Sequence, residues 1–353
     1  MKIIKMHVDH HAPFHFGDAS GHLAKTFSSD QLFSTLTNNI RLLYGPEKIQ
    51  EFVSIVANGE LVFSSLFIGL DIYERKEKRP VKTIYFLPRP NIDFYFINET
   101  YRSFKEFKKI EYVSFELFQK LSECWSQEKE AVAIDADTVQ IVSGQFALLK
   151  EEVMDLEISA NEWENLSIFS VHVRPGVKVN RLNSVSENYF SQEDMVVRYQ
   201  YTKQFVLKPF FYFFLDGELP SFISAAIYLI ADEGIGGRRS SGRGMLKQIE
   251  IVENNETFPN SGKYWMSLSS HFPKKEEVHA LYSYELEKRN GYIYTNSGTT
   301  FRKKSILVVK EGSLFTEKVE GQILDIKPDR FEKHPVYFYG KPMLVGFGGA
   351  LRE

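Results

Sequence analysis

The stretch Gly234-Ile-Gly-Gly-Arg-Arg-Ser-Ser-Gly-Arg-Gly244 carries the strongest chemical signal in the sequence. Glycine lacks Cβ and adopts positive φ freely. Gly234, Gly236, Gly237, Gly242 and Gly244 therefore let successive N–H groups converge on one concavity while a phosphate or backbone comes close. Arg238, Arg239 and Arg243 add planar cationic forks that match phosphate, and Ser240 and Ser241 complete the candidate surface. No acidic residue interrupts the run. Two familiar nucleotide-binding patterns do not fit. A P-loop places lysine and then serine or threonine after its second glycine, but Arg243 and Gly244 follow Gly242. A dinucleotide fingerprint joins strand to helix through three spaced glycines. Here the third position is Arg239, and the loop runs from helix to strand. The expectation is a phosphate-binding loop standing outside the core; a flexible hairpin with solvated arginines is the alternative.

A second candidate surface lies between Arg174 and Lys208. Arg174, Lys178, Arg181, Arg198, Lys203 and Lys208 outnumber Glu187, Glu193 and Asp194, and Tyr189, Phe190, Tyr199 and Tyr201 are interleaved. Cations for phosphates beside rings for bases are what single-stranded RNA recognition uses. An exposed loop followed by strand aromatics is the plainer alternative. Histidines crowd the N-terminus: His7, His10, His11, His15 and His22, with Asp9 and Asp18. On a strand His7 and Asp9 share a face while His10 points away, so no metal site is expected there.

The elements that must position these residues can be read from periodicity. Lys2–Val8 alternates, with Ile4, Met6 and Val8 on one face and Lys5 and His7 on the other, as in a half-buried strand. Ser28 or Ser29 caps a helix bearing Leu32, Leu36, Ile40 and Leu43, which Gly45-Pro46 ends. A second helix spans 47–58, and strands follow at 61–70 and 82–87. Residues 88–199 are irregular and read as an insertion. Phe205–Leu215 is an apolar run, 220–231 a helix with Phe222, Ala226, Ile227 and Ile230 on one side, and 246–252 a strand. With the insertion set aside, the order approximates β-α-β-β-α-β, the ferredoxin-like or RRM-like unit. A second unit begins near Pro259, with strands near 265–272, 292–295, 305–309, 321–326 and 336–339 and a helix at 274–281.

The chain has 353 residues, 43% hydrophobic and 25% charged, the range of a folded protein with room for two domains. A net charge of −3 excludes a body coated in basic charge but not a local basic site. Thirty Phe and 18 Tyr point to aromatic sheet cores. Cys124 is the only cysteine, so no internal disulfide or cysteine-built zinc site is expected. No apolar run is long enough to span a bilayer and the first residues lack a signal-peptide pattern, so a cytoplasmic protein with no membrane association is expected.

Between the second helix and last strand of a ferredoxin-like unit, the glycine-rich loop resembles the signature loop of RAMP proteins, the RNA-binding family of CRISPR systems. Further motifs resemble, in order, the fourth-subunit family of the Csm complex, the type III-A CRISPR effector. They are His15-Phe16-Gly17, Ser29-Asp30-x-Leu-Phe33, Arg174-Pro175 with Val179-Asn180-Arg181, the loop itself, and His334-Pro335-Val-Tyr-x-Tyr-Gly340. The resemblance implies an α+β fold of two ferredoxin-like domains: residues 1–255, with an insertion at about 88–199 and the glycine-rich loop, and residues 256–353. It implies a non-catalytic subunit that holds the 5′ tag of the CRISPR guide RNA. Such a subunit joins the backbone RAMP subunit to the large polymerase-like subunit and needs no cofactor. His15, Arg174, Lys178 and Arg181 join the loop as the expected RNA-binding set. The alternative is a metal-independent RAMP endoribonuclease with His15 as general acid or base.

Overall fold

The computed structural model describes residues 1–17, 23–24, 26–97, 105, 107–125, 131–180, 182–254, 258–259, 262–294 and 300–348. Its principal elements, in chain order, begin with β1 (Lys2–His7), β2 (Pro13–Phe14), α1 (Ser29–Tyr44), α2 (Glu47–Ala57), β3 (Phe67–Glu74) and β4 (Lys82–Pro88). Next come β5 (Tyr112–Ser114), α3 (Phe115–Cys124), β6 (Val139–Val142), β7 (Phe146–Leu149), β8 (Phe169–Val179) and β9 (Ser186–Val197). β10 (Phe205–Gly217), α4 (Ser221–Glu233) and β11 (Gln248–Glu253) complete the first sheet. The C-terminal part adds β12 (Tyr264–Ser267), β13 (Leu281–Ser283), β14 (Leu314–Phe315) and β15 (Leu344–Phe347).

β1 lies between β11 and β10, and β10 lies between β1 and β3, all antiparallel. The alternation in β1 decides what each sheet face becomes. Ile4 and Met6 point toward the helices, where they join Phe211 and Phe213 of β10 under Leu32, Leu36 and Ile40 of α1 and Ile223, Ala226, Ile227 and Ile230 of α4. The backbone N–H of Ser28 donates to Gln31 Oε1 at 3.1 Å, closing the start of α1, and Gly45 at φ 85° ends it. Leu43, placed by periodicity on the apolar stripe, is instead exposed.

On the opposite face Lys5 and Asp71 form a buried ion pair at 2.7 Å. Thr83 Oγ1 donates to the same carboxylate at 2.7 Å, and the Lys5 ammonium lies 4.1 Å from the Phe210 ring centroid. Such a pair is tolerable away from water because its charges and lone pairs are satisfied together. Farther along this face Phe67, Tyr212 and Phe214 pack with Phe258, Tyr264 and Met266, so the C-terminal part covers one end of the sheet.

Part of the segment read as an insertion continues this same sheet. β4 pairs with β3, β5 with β4, β7 with β5 in parallel, and β6 with β7. Another part of it forms a long hairpin, β8–β9, to which β2 adds a third strand. The C-terminal part holds a four-stranded sheet, β13-β14-β12-β15. Lys275–Ala280, within the 274–281 segment expected as helix, is a six-residue 3-10 helix. Its Glu277 carboxylate accepts from the backbone N–H groups of Lys274 at 2.8 Å and Glu320 at 2.7 Å, which caps the start of the 3-10 helix and ties it to a distant segment.

The terminal His334–Gly340 motif has a packing role. Tyr339 is fully buried, stacked on Phe63 with 4.4 Å between centroids and on Phe33 at 5.6 Å, which inserts the C-terminal part into the core under α1. Burial raises its phenol pKa, so the ring stays neutral. Tyr339→Ala is expected to destabilise the protein by about 3–5 kcal/mol, the cost of an aromatic core deletion. Tyr339→Phe removes only a long 3.4 Å bond from the Phe63 N–H and should cost about 1 kcal/mol or less. Urea unfolding of both variants checks the difference.

Candidate nucleic-acid interface

The glycine-rich loop leaves α4 at Gly234, whose N–H donates to Ile230 O at 2.8 Å. It is anchored rather than loose. Ile235 is fully buried in the main core, and its N–H donates to Gly244 O at 2.9 Å. Gly244 in turn donates to Pro13 O at 2.8 Å, and Gly237 to His15 O at 2.8 Å. The expectation of a loop outside the core is thus corrected: a hydrophobic residue between two glycines pins it to the apolar core below. Gly236 has φ +82°, and a Cβ there would sit 2.8 Å from His15 O and 2.9 Å from the Phe16 ring. Only glycine fits that position.

The loop tip, Arg239–Ser241, is a 3-10 turn entered through Arg238 in the left-handed conformation at φ 59°. Ser241 Oγ donates to Arg238 O at 2.9 Å, while Ser240, Ser241 and Gly242 are exposed. The three arginines have separate surroundings. Arg243 is drawn inward: its Nε and Nη2 donate to Asp194 Oδ2 at 3.2 and 3.1 Å, and its Nη1 to Ser241 O at 2.6 Å. Arg239 is exposed and only 3.8 Å from Glu233 Oε2, a loose surface pair. Among the described residues Arg238 has no carboxylate partner, and its Nη1 is buried with no hydrogen-bond partner.

Asp194, which sequence reasoning counted only as a charge offsetting the basic segment, organises this site. It is completely buried on β9, and Arg174 Nε of β8 approaches the same Oδ2 to 3.6 Å. One carboxylate thus holds the loop to the hairpin. His15 joins them, its Nδ1 2.8 Å from Glu193 O, with Nδ1 the donor because a carbonyl can only accept. The loop, His15 and Arg174 are therefore brought together.

The hairpin register sorts the remaining candidates. Gly176 opposes Phe190 and Arg174 opposes Gln192, so Phe190 shares the face of Arg174, Lys178 and Asp194. The Phe190 ring lies over Gly176, where a Cβ would come within 2.6 Å of it, yet 41% of the residue is exposed. Tyr189 opposes Val177 on the other face and is 74% exposed. The two adjacent aromatics therefore cannot serve one surface. Lys178 is exposed toward the hairpin end, and Arg181 lies outside the described residues, as do Asp18 and His22. Arg198 turns back to Ser170 Oγ at 2.9 Å and His172 Nε2 at 3.1 Å. Among the described residues no group of three or more His, Cys, Asp or Glu side chains is arranged to hold a metal ion, and no helix is long and apolar enough to cross a membrane.

The fold and these motifs have counterparts among known proteins. The chain is similar over 98% of its length to the CRISPR system Cms protein Csm4 of Methanocaldococcus jannaschii, at 28% identity and with 98% of that protein covered. A Csm4 of Streptococcus thermophilus matches at 30% identity over 31% of this chain and 39% of its own. Among solved structures, a chain of a Csm3–Csm4 subcomplex from a type III-A CRISPR–Cas interference complex superposes with a TM-score of 0.64. That match is at 23% identity and covers 99% of this chain and 100% of the other. A chain of a Csm1–Csm4 cassette in complex with cA4 superposes at 0.55, with 17% identity and 99% of each chain covered. The architecture is therefore that of the mixed α+β proteins found in CRISPR effector assemblies. The family model of the CRISPR Csm4 C-terminal domain matches residues 260–347, and the chain is similar to a Csm4 protein over nearly its whole length.

Arg243→Ala would leave Asp194 buried without its main partner, and a loss of about 3–5 kcal/mol of stability is expected. Arg239→Ala should change stability by about 1 kcal/mol at most. Gly236→Val forces a β-branched residue into a left-handed conformation, and about 1–3 kcal/mol should be lost for that strain alone. Thermal and urea unfolding of the three variants measures this ranking.

Proposed function

We propose that this protein is a non-catalytic RNA-binding subunit of a type III-A CRISPR effector complex. It holds the 5′ tag of the guide RNA and joins the backbone RAMP subunit to the large polymerase-like subunit, in the cytoplasm. The observation that carries the reading is the convergence on Asp194: an anchored glycine-rich loop, His15 and the Arg174–Phe190 face of the hairpin form one continuous surface. Arg243 and Arg174 are committed to the buried carboxylate, so the loop's geometry is fixed before any ligand arrives. Arg238 and Arg239 are left as the phosphate-facing cations. Phe190, on the hairpin face that carries Arg174, offers a ring face for a base. The Csm4 chains of the related structures stand in complexes with Csm3 in one case and Csm1 in the other, which supports a bridging position here.

The antiparallel order β11-β1-β10-β3, with α1 and α4 on one face, supports a ferredoxin-like first domain. The sheet β13-β14-β12-β15 is the counterpart in a second such domain, its helices reduced to the 3-10 helix. His15 acts as a support for the loop: its ring lies against Gly237 and its Nδ1 is spent on a backbone carbonyl.

The test is equilibrium binding of tag RNA at several salt concentrations. Arg238→Ala and Arg239→Ala should each weaken binding across sequences and lower the slope of log K against log salt by about 0.7. Phe190→Ala should lower affinity at every salt concentration by about 1–3 kcal/mol. Wild-type affinity and slope in the Arg238→Ala/Arg239→Ala double variant would refute the loop as an RNA site. No cleavage of repeat RNA in chelator is expected from the wild type, and His15→Ala should leave guide maturation unchanged when the processing enzyme is present. Discrete, His15-dependent products would favour the nuclease reading.

A further inference from the structure

The sheet face opposite the helices is covered at one end by the C-terminal part and open at the other. At the open end, β1, β10, β11 and β3 together with Tyr199 enclose a cleft of about 240 Å³, with His7, Tyr73, Tyr199, Lys208, Lys247 and Glu250 in its wall. We propose that this cleft is a ribonucleotide site, taking a phosphate on Lys208 and Lys247 and a base against Tyr199 and Tyr201. The proposal deepens the RNA-binding reading of the neighbouring loop but rests on different residues.

Lys208 is the central observation. Its ammonium lies 4.1 Å from the ring centroid of Tyr73 and 5.8 Å from that of Tyr199, a cation held between two ring faces. Its cross-strand neighbour Asp71 could have neutralised it, but Lys5 and Thr83 already occupy that carboxylate. Among the described residues no carboxylate lies within ion-pair distance of Lys208, so its N–H donors stay available to an anion. The acid in the cleft wall has a neighbour on each oxygen: Glu250 Oε1 accepts from Gln248 Nε2 at 3.1 Å, and its Oε2 lies 3.2 Å from His7 Nε2. Lys247 stands at the rim, 61% exposed at its side chain and loosely paired with Asp9 at 3.5 Å.

Beside the cations runs a column of rings. His11 stacks on His10 with 3.8 Å between centroids, His10 leans on Tyr199 at 5.3 Å, and Tyr201 meets His10 edge-on at 6.1 Å while 59% exposed. Tyr199 is fixed in place: its hydroxyl donates to Val8 O at 2.5 Å, and its N–H donates to His10 Nδ1 at 2.9 Å. Burial pushes the phenols of Tyr73 and Tyr199 up to about 12, so both stay neutral beside a phosphate. Cations next to fixed, partly exposed rings suit a nucleotide better than an apolar or purely anionic ligand. The site is also continuous with the loop. The chain passes from Gly244, bound to Pro13 O, to Lys247, whose N–H donates to His7 O at 2.8 Å in the cleft wall.

The test uses the full chain, a fluorescent single-stranded RNA carrying 5-iodouridine, and adenosine monophosphate as the free nucleotide. The Lys208→Gln/Lys247→Gln variant should bind the RNA with a salt slope smaller by about 1.4, the value for two lost contacts to a single strand. Irradiation of the wild type should cross-link the RNA to Tyr199 or Tyr201. Competition by adenosine monophosphate that disappears in the variant assigns the cleft to a free mononucleotide; cross-linking without such competition assigns it to a nucleotide within a strand. An unchanged slope in a variant with wild-type thermal stability, no cross-link at either tyrosine and no protection by the mononucleotide overturn the proposal. The Arg238→Ala/Arg239→Ala variant, measured in parallel, separates the two sites. If it binds normally while the cleft variant weakens, the loop reading fails and the cleft stands; the reverse result removes the cleft alone.

Discussion

The arrangement of the candidate site depends on one buried carboxylate. Asp194 has no exposure to solvent, and a lone ionised group in that position would be prohibitively unfavourable. Its charge is therefore matched by Arg243 from the glycine-rich loop and approached by Arg174 from the opposite hairpin strand. Three segments far apart in sequence are thereby held in one geometry: the loop, the hairpin, and the N-terminal stretch through His15 and Pro13. The pair does more than add stability, since moving the loop away from the hairpin would strand a charge away from water.

Beneath this, the central sheet divides the labour between its faces. The face under α1 and α4 is dry and gives the loop a rigid floor through Ile235. The other face carries charge, but its charges are graded. Near the C-terminal part Asp71 neutralises Lys5 in a sealed pair, whereas toward the loop Lys208 has only rings for company. A sheet with alternating side chains makes this possible, because the residues that bury the core under the helices and those on the charged face are neighbours on the same strand.

Much of the frame was legible in the sequence. The alternation of β1, the apolar stripes of α1 and α4, and a glycine-rich turn between α4 and β11 follow from local periodicity and from what glycine permits, and each appears where expected. Leu43 and the 274–281 segment did not follow. A helix stripe says nothing about how far the packing against it extends, and the 3-10 helix is tied through Glu277 to backbone at residues 320 and 321, contacts no local pattern encodes. The stretch at 88–199 lacked a pattern because it joins a sheet already begun, where flanking strands supply the pairing that its short segments need.

The site shows the same boundary between local and distant causes. The sequence by itself determined that a run of glycines and arginines without acids would form the turn between α4 and β11, and that cations and rings would alternate before β10. Only the tertiary structure decided which of those cations are free. Arg243 and Arg238 are alike in sequence, but one reaches a buried carboxylate and the other does not. Tyr189 and Phe190 are adjacent, yet the two-residue period of a strand sends them to opposite faces. Lys208, counted along the chain as one charge among six, becomes distinctive because Asp71 is already occupied across the strand. Charge and ring content are properties of residue types; whether a charge is spent or available depends on which partner the fold brings within reach first.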